Sequence, residues 1–280
     1  MKKILTITIA CAMLVAMTAC GNNNTSSSSS APETSSSSSM STSTPEATLS
    51  AMYAEAINKA LPKDVTDVIP NFDIDKYTVA VADVNTLTEI SEGKFTGTDM
   101  EPLKAISAKL GDMLAATDES LMEETKTAIT SVKAHLDAMV AGEKPELKDE
   151  LKKSFEEAIM YYNSKEAGIG GILLGSLTYG ENKSLSADDV EALVVNASGM
   201  NIKAHSVLIA KPKAGREADV KSAVENYMKG IQKSFENYLQ DQYEIAKGAI
   251  LETLPDGTVV LVMTENAQTV MDSIKSSLGA

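Results

Sequence analysis

The chain has 280 residues, a formal net charge of −14 and a single arginine, Arg216. So acidic a chain lacks the basic stripe that nucleic acid or anionic headgroups require, and neither is expected as a partner. Its two cysteines, Cys11 and Cys20, both lie near the N-terminus, so the rest of the chain has no thiol for a disulfide, a thiolate nucleophile or a Cys-ligated zinc.

The first twenty residues read as an export signal. Lys2 and Lys3 precede an apolar run from Ile4 to Met17, interrupted only by Thr6 and Thr8. That run is shorter than the roughly 20 residues a spanning helix needs, and it fits a signal peptide. Met17-Thr18-Ala19-Cys20-Gly21 then resembles a lipobox, with a small residue before the cysteine and Met17 where leucine is usual. The expectation is a signal peptide over 1–19 and a Cys20 that carries a diacylglyceryl group and palmitate-type acyl chains. Two such chains give stable anchoring where one does not. The partner implied is the membrane, and the location its extracytoplasmic face.

Residues 20–46 hold the lipidated Cys20 and an Asn-, Ser- and Thr-rich run with serine stretches at 26–30 and 35–39. Too few apolar groups are present to offset ordering entropy, which predicts a flexible tether. As a random coil it would span roughly 25–30 Å.

From 47 to 166 the pattern predicts a mostly helical region with one strand. Leu49, Met52, Tyr53, Ala56, Ile57 and Ala60 recur at helical spacing and Pro62 closes the segment. Tyr77–Val84 alternates and is β-branched, which predicts the strand. Helices follow over Met100–Leu114, Leu121–Val140 and Glu146–Tyr162, the second with Asp118 as its N-cap and Glu119 in its first turn. Gly168–Gly175 matches neither a dinucleotide fingerprint nor a Walker loop. It reads as a hinge or a close-packed joint.

The remainder, 167–280, predicts an α+β domain with a small antiparallel or mixed sheet covered by helices. Its expected order is α-β-α-β-β-α. The elements are a short helix from Ser186 through Val190 and Leu193, a strand over Ile202–Ala210, and a long helix from Glu217 to about Tyr243. A hairpin over Ala249–Leu254 and Thr258–Met263, turning at Pro255-Asp256-Gly257, and a last helix over Glu265–Leu278 complete it. The stretch "VIPNFDIDKYTVAVADV" faintly echoes "VVNASGMNIKAHSVLIA".

About the last 100 residues resemble a lipoprotein family known as domain of unknown function 4358. The resemblance rests on "LSADDVEALVVNASGMNIKAHSVLIAKP", "VKSAVENYMKGIQKSFENYLQDQYEIAKGAIL" and "PDGTVVLVMTENAQTVMDSI". Its most recognisable piece is Gln232-x-x-Phe235-x-x-Tyr238 followed by Gln242-Tyr243-Glu244. It implies an anchored envelope protein and no known reaction. It also implies a basic residue one turn before Gln232, where this chain has Met228, and an acidic residue before the first strand, where it has His205 and Ser206.

Tyr227, Gln232, Phe235, Tyr238 and Tyr243 form the candidate interaction surface, since Tyr offers a ring and a hydroxyl together. The same stripe also suits burial on the sheet, which is the simpler reading. His135 and His205 have no second histidine, cysteine or carboxylate at ligand spacing on their own elements, so a surface or half-buried structural role is expected. Asp73-Ile-Asp75, Asp188-Asp189 and Asp256-Gly257 match no calcium loop, and no serine sits in a nucleophile elbow. No catalytic residue, metal ligand or cofactor is therefore expected. The leading reading is a non-enzymatic module binding an envelope protein, peptide or glycan. A solute-capture lipoprotein for transport comes second, and an envelope hydrolase third.

Overall fold

The computed structural model describes residues 48–62, 71–116, 118, 121–199 and 201–280. The signal peptide, Cys20 and the tether expected over 20–46 lie outside the described residues, as does Glu119. Glu46–Ala280 form one compact unit.

Helix α1 (Leu49–Ala60) begins at Thr48, whose hydroxyl accepts from the Ala51 amide. A two-residue strand, β1 (Phe72–Asp73), leads into α2 (Ile74–Ser91). The strand expected over Tyr77–Val84 is thus a helix. Its alternation spans only eight residues, whereas Ile74, Ala80, Asp83, Leu87 and Ile90 are buried at helical intervals over eighteen. Asp73 caps the helix through the Asp75 amide, and Thr78, Thr86 and Thr88 give their hydroxyls to carbonyls one turn back. The echo between the two halves fails here, because its first copy is helical where the second is extended.

Helices α3 (Glu101–Ala115), α4 (Glu123–Val140) and α5 (Asp149–Tyr162) join α2 around an apolar core that includes Leu87, Leu103, Ile106, Ile129, Leu136 and Phe155. A buried polar pin crosses it. Asp83 accepts from Tyr162 Oη at 2.5 Å and from Lys109 Nζ at 2.8 Å, joining α2, α5 and α3. Asp118 does not cap α4, whose first turn carries Glu123 and Glu124 instead. Its carboxylate accepts from Tyr161 at 2.8 Å and pairs with Lys165 at 2.6 Å.

A π-helical turn (Asn163–Ala167) and α6 (Gly170–Ser176) carry the chain to a small hairpin, β2 (Thr178–Tyr179) with β3 (Lys183–Ser184). Within the glycine segment, a Cβ on Gly170 would stand 2.3 Å from the Tyr77 ring and 2.7 Å from Phe72. Close packing is what that glycine permits.

The expected helix from Ser186 to Leu193 is instead a tight turn closed by Asp189, then strand β4 (Val190–Ala197). Serine does cap, but it caps a turn: Asp189 accepts from the Ser186 amide and hydroxyl, and the apolar run after it is buried on both sides. Strand β5 (Ser206–Pro212) starts four residues later than expected. The long helix breaks into α7 (Glu217–Phe235) and α8 (Gln240–Lys247), followed by β6 (Ile250–Thr253), β7 (Val259–Met263) and α9 (Ala267–Leu278).

The main sheet is antiparallel in the order β1-β4-β5-β7-β6. Alternate residues divide cleanly between its faces. Leu193, Val195, Leu208, Ala210, Val259 and Leu261 meet α7 and α6 on one side. Ala192, Val194, Val207, Ile209, Val260 and Val262 meet Tyr53 and Ile57 of α1 and Val270, Met271 and Ile274 of α9 on the other. The fold is α+β, with helices covering both faces of the sheet and the helical cluster beside it.

Candidate functional site

The five residues of the sequence-derived surface do not share one environment. Tyr227 is buried, its hydroxyl 3.1 Å from Ser206 Oγ. Phe235 is only 1% exposed and packs with Ala204, Ala246 and Met263. Gln232 donates from Nε2 to the Ala246 carbonyl at 2.9 Å, holding α8 against α7. Tyr243 is half-buried with the Lys247 ammonium 4.9 Å from its ring centroid. Tyr238, by contrast, is 62% exposed in the turn between the helices.

A cleft of about 550 Å³ opens at the end of the sheet where β5 starts and β7 stops. Its walls come from the end of α1 (Ala60, Pro62), the approach to β5 (Lys203 to His205), α8 (Gln242, Ile245) and the β7–α9 junction with the first turns of α9. Gln242 fixes one wall by accepting the Ala204 amide at 2.8 Å. Asn266 fixes another from the left-handed conformation (φ +59°), which asparagine tolerates better than most residues.

His205 forms the floor and is 4% exposed, deeper than a half-buried structural role. Asn196 gives its Nδ2 to Asn71 Oδ1 at 2.9 Å, so its Oδ1 faces His205 Nε2 at 2.8 Å, and that nitrogen carries the proton. The other ring nitrogen, 3.3 Å from Thr264 Oγ1, then accepts. Asn71 continues the chain to Asn58 at 3.0 Å. One line of hydrogen bonds thus runs from α1 through β4 and the start of β5 to the end of β7. Burial first, and then the Lys203 charge, push the imidazole pKa down to about 4. The ring is neutral at physiological pH and its orientation is fixed between Asn196 and Thr264, with the Nδ1 lone pair facing the Thr264 hydroxyl.

The remaining sequence candidates have structural partners. Asp189 accepts from Arg216 Nε at 2.9 Å, and Arg216 also pairs with Asp219 and lies over the Tyr179 ring. Burial alone would raise the Asp189 carboxyl, but Ser186 and Arg216 outweigh it and hold the pKa below the ordinary value. Asp256 turns the β6–β7 hairpin by accepting from the Thr258 amide at 3.0 Å and pairs with Lys211. Among the described residues, no three of His, Cys, Asp and Glu converge to hold a metal ion. No helix among them is long and apolar enough to cross a membrane.

The cleft was not legible as such, because its walls come from four separate stretches of sequence. The polarity of Gln242, Thr264 and Asn266 beside apolar neighbours was the available signal. At the positions where the family resemblance implies charges, Ser206 is fully buried against Tyr227 and Met228 packs into the apolar core, so neutral contacts occupy both.

Residues 181–264 match the family described as Domain of unknown function (DUF4358). The match runs from the small hairpin through β7 and stops before α9. Neither a curated protein nor a solved structure matches the chain.

Proposed function

We propose that this chain is a lipoprotein anchored through Cys20 at the extracytoplasmic face of the cell membrane, and that its folded unit is a non-enzymatic binding module of the cell envelope. The observation that carries the binding reading is the cleft: a concave site with Lys203, Gln242, Thr264, Glu265 and Asn266 on its walls. Clefts of this size with a few placed polar groups are the usual sites of small-ligand recognition. The export signal and lipobox support the anchored location.

Thr269 is exposed on the cleft wall and touches no core residue through a hydrogen bond, so Thr269→Arg fills the cleft without disturbing the sheet. Melting curves against soluble peptidoglycan fragments, peptides and common metabolites should show a rise in Tm for one class, lost in Thr269→Arg. The bound compound should leave the mixture unchanged by mass spectrometry. If no class raises Tm, or the rise survives in the variant, the cleft is not a binding site; turnover of the compound would replace binding with catalysis.

A further inference from the structure

The main sheet ends differently on its two sides. On one side β1 pairs with β4, and every residue of β4 except Glu191 is buried. On the other side lies β6, whose outer edge pairs with no strand among the described residues. The hydrogen bonds of the hairpin fix which groups face outward. The Leu254 amide donates to the Thr258 carbonyl at 2.7 Å, so Leu254, Glu252 and Ile250 turn their backbone groups toward β7. Leu251 and Thr253 alternate with them and turn theirs away from the sheet. Their N–H and C=O groups form one row along the edge, where Thr253 is exposed and Leu251 half-buried.

Such a row is a template for a further strand, and edges are ordinarily blunted by lysine, proline or a bulge. Strand β6 carries no lysine or proline, and no bulge interrupts its register. Leu251 packs against the core on the α7 face and Ile250 against the core on the α9 face. Both stay half-buried, so a strand laid along β6 would cover apolar surface on each side. We propose that β6 pairs antiparallel with β6 of a second copy of this chain, joining the two sheets about a two-fold axis. With Leu251 opposite Thr253 of the other copy, every outward N–H and C=O on both strands finds a partner. Charge selects this occupant. Glu252 then meets its counterpart at the axis, where two bare carboxylates would repel. Each, however, comes paired with Lys275 of its own α9 at 2.8 Å, so a second copy brings the balancing ammonium with it. No residue of β6 lines the cleft, so the two surfaces are independent.

Sedimentation velocity of the purified full chain over a range of concentrations should show a reversible monomer–dimer equilibrium. Thr253→Pro removes an outward N–H and no bond to β7, a change that an edge strand tolerates, and it should weaken dimerisation at least about tenfold. Thr253→Ala keeps that N–H and should dimerise like wild type. These chains share one N-terminal segment, so a difference between them reads β6. In a chain with Cys11 and Cys20 replaced by serine, Glu252→Cys should give a disulfide-linked dimer under a mild oxidant. Cα atoms of such a non-hydrogen-bonded pair stand about 4.5 Å apart, and this readout serves even where Thr253→Pro fails to fold. A wild type that stays monomeric throughout would overturn self-pairing and leave the edge to an extended peptide of another protein. Thr253→Pro dimerising like wild type, or Glu252→Cys forming no cross-link, would overturn it as well.

Discussion

Protonating His205 would place a charge in a site that is 4% exposed, facing the Thr264 hydroxyl and near Lys203. Its folded pKa, about 4, lies below the unfolded value of about 6.5. Between those values the unfolded chain binds the extra proton, so stability is complete above about pH 6.5 and falls as pH drops toward 4. The loss attributable to this one group is on the order of 3 kcal/mol, from ~1.4 kcal/mol per pKa unit. Denaturant midpoints across this window should therefore slope in wild type and flatten in His205→Gln; equal slopes would remove His205 as the cause. Carboxylates held low by partners, such as Asp189 and Asp256, lose their contribution only at more acid pH, so they do not mask the effect. His135 titrates in the same direction and remains in both proteins.

Breaking the predicted long helix between Phe235 and Gln240 is what separates the family-like motif into inside and outside. Phe235 closes α7 in a small apolar cluster, while Tyr238 sits in the turn facing solvent. Phe235→Ala should cost about 3–5 kcal/mol in chemical denaturation, whereas Tyr238→Ala should stay within about 0.5 kcal/mol. Similar losses in both would contradict this placement. Gly170→Ala tests the glycine segment in the same way: its methyl must push the Tyr77 and Phe72 rings aside, an overpacking cost of roughly 1–3 kcal/mol. The elements with long, regular patterns were legible from sequence, among them α3, α4, α5, α9 and the β6–β7 hairpin. Tyr77–Val84 and Ser186–Leu193 were not, because short windows there carry the wrong period. Threonines that bond back to their own helix make α2 look like a strand. Full burial of β4 on both faces erases the alternation that would have marked it.

At the scale of the molecule, the segment matching the family supplies β4, β5, β6, β7, α7 and α8, but not the helices that cover the second face of the sheet. Val194, Val207, Ile209, Val260 and Val262 would be exposed without Tyr53 and Ile57 of α1 and Met271 and Ile274 of α9. Residues 181–264 produced alone should bind a hydrophobic dye and lack a cooperative melt, while 48–280 should melt cooperatively. A cooperative melt of the shorter piece would show that α1 and α9 are dispensable. The proposed binding role rests on the cleft, and the proposed anchorage rests on Cys20. Metabolic labelling with palmitate, comparing wild type with Cys20→Ala, tests that most directly. Label should enter wild type and be lost from the variant, which should leave the membrane fraction; equal labelling of both would contradict the anchored reading.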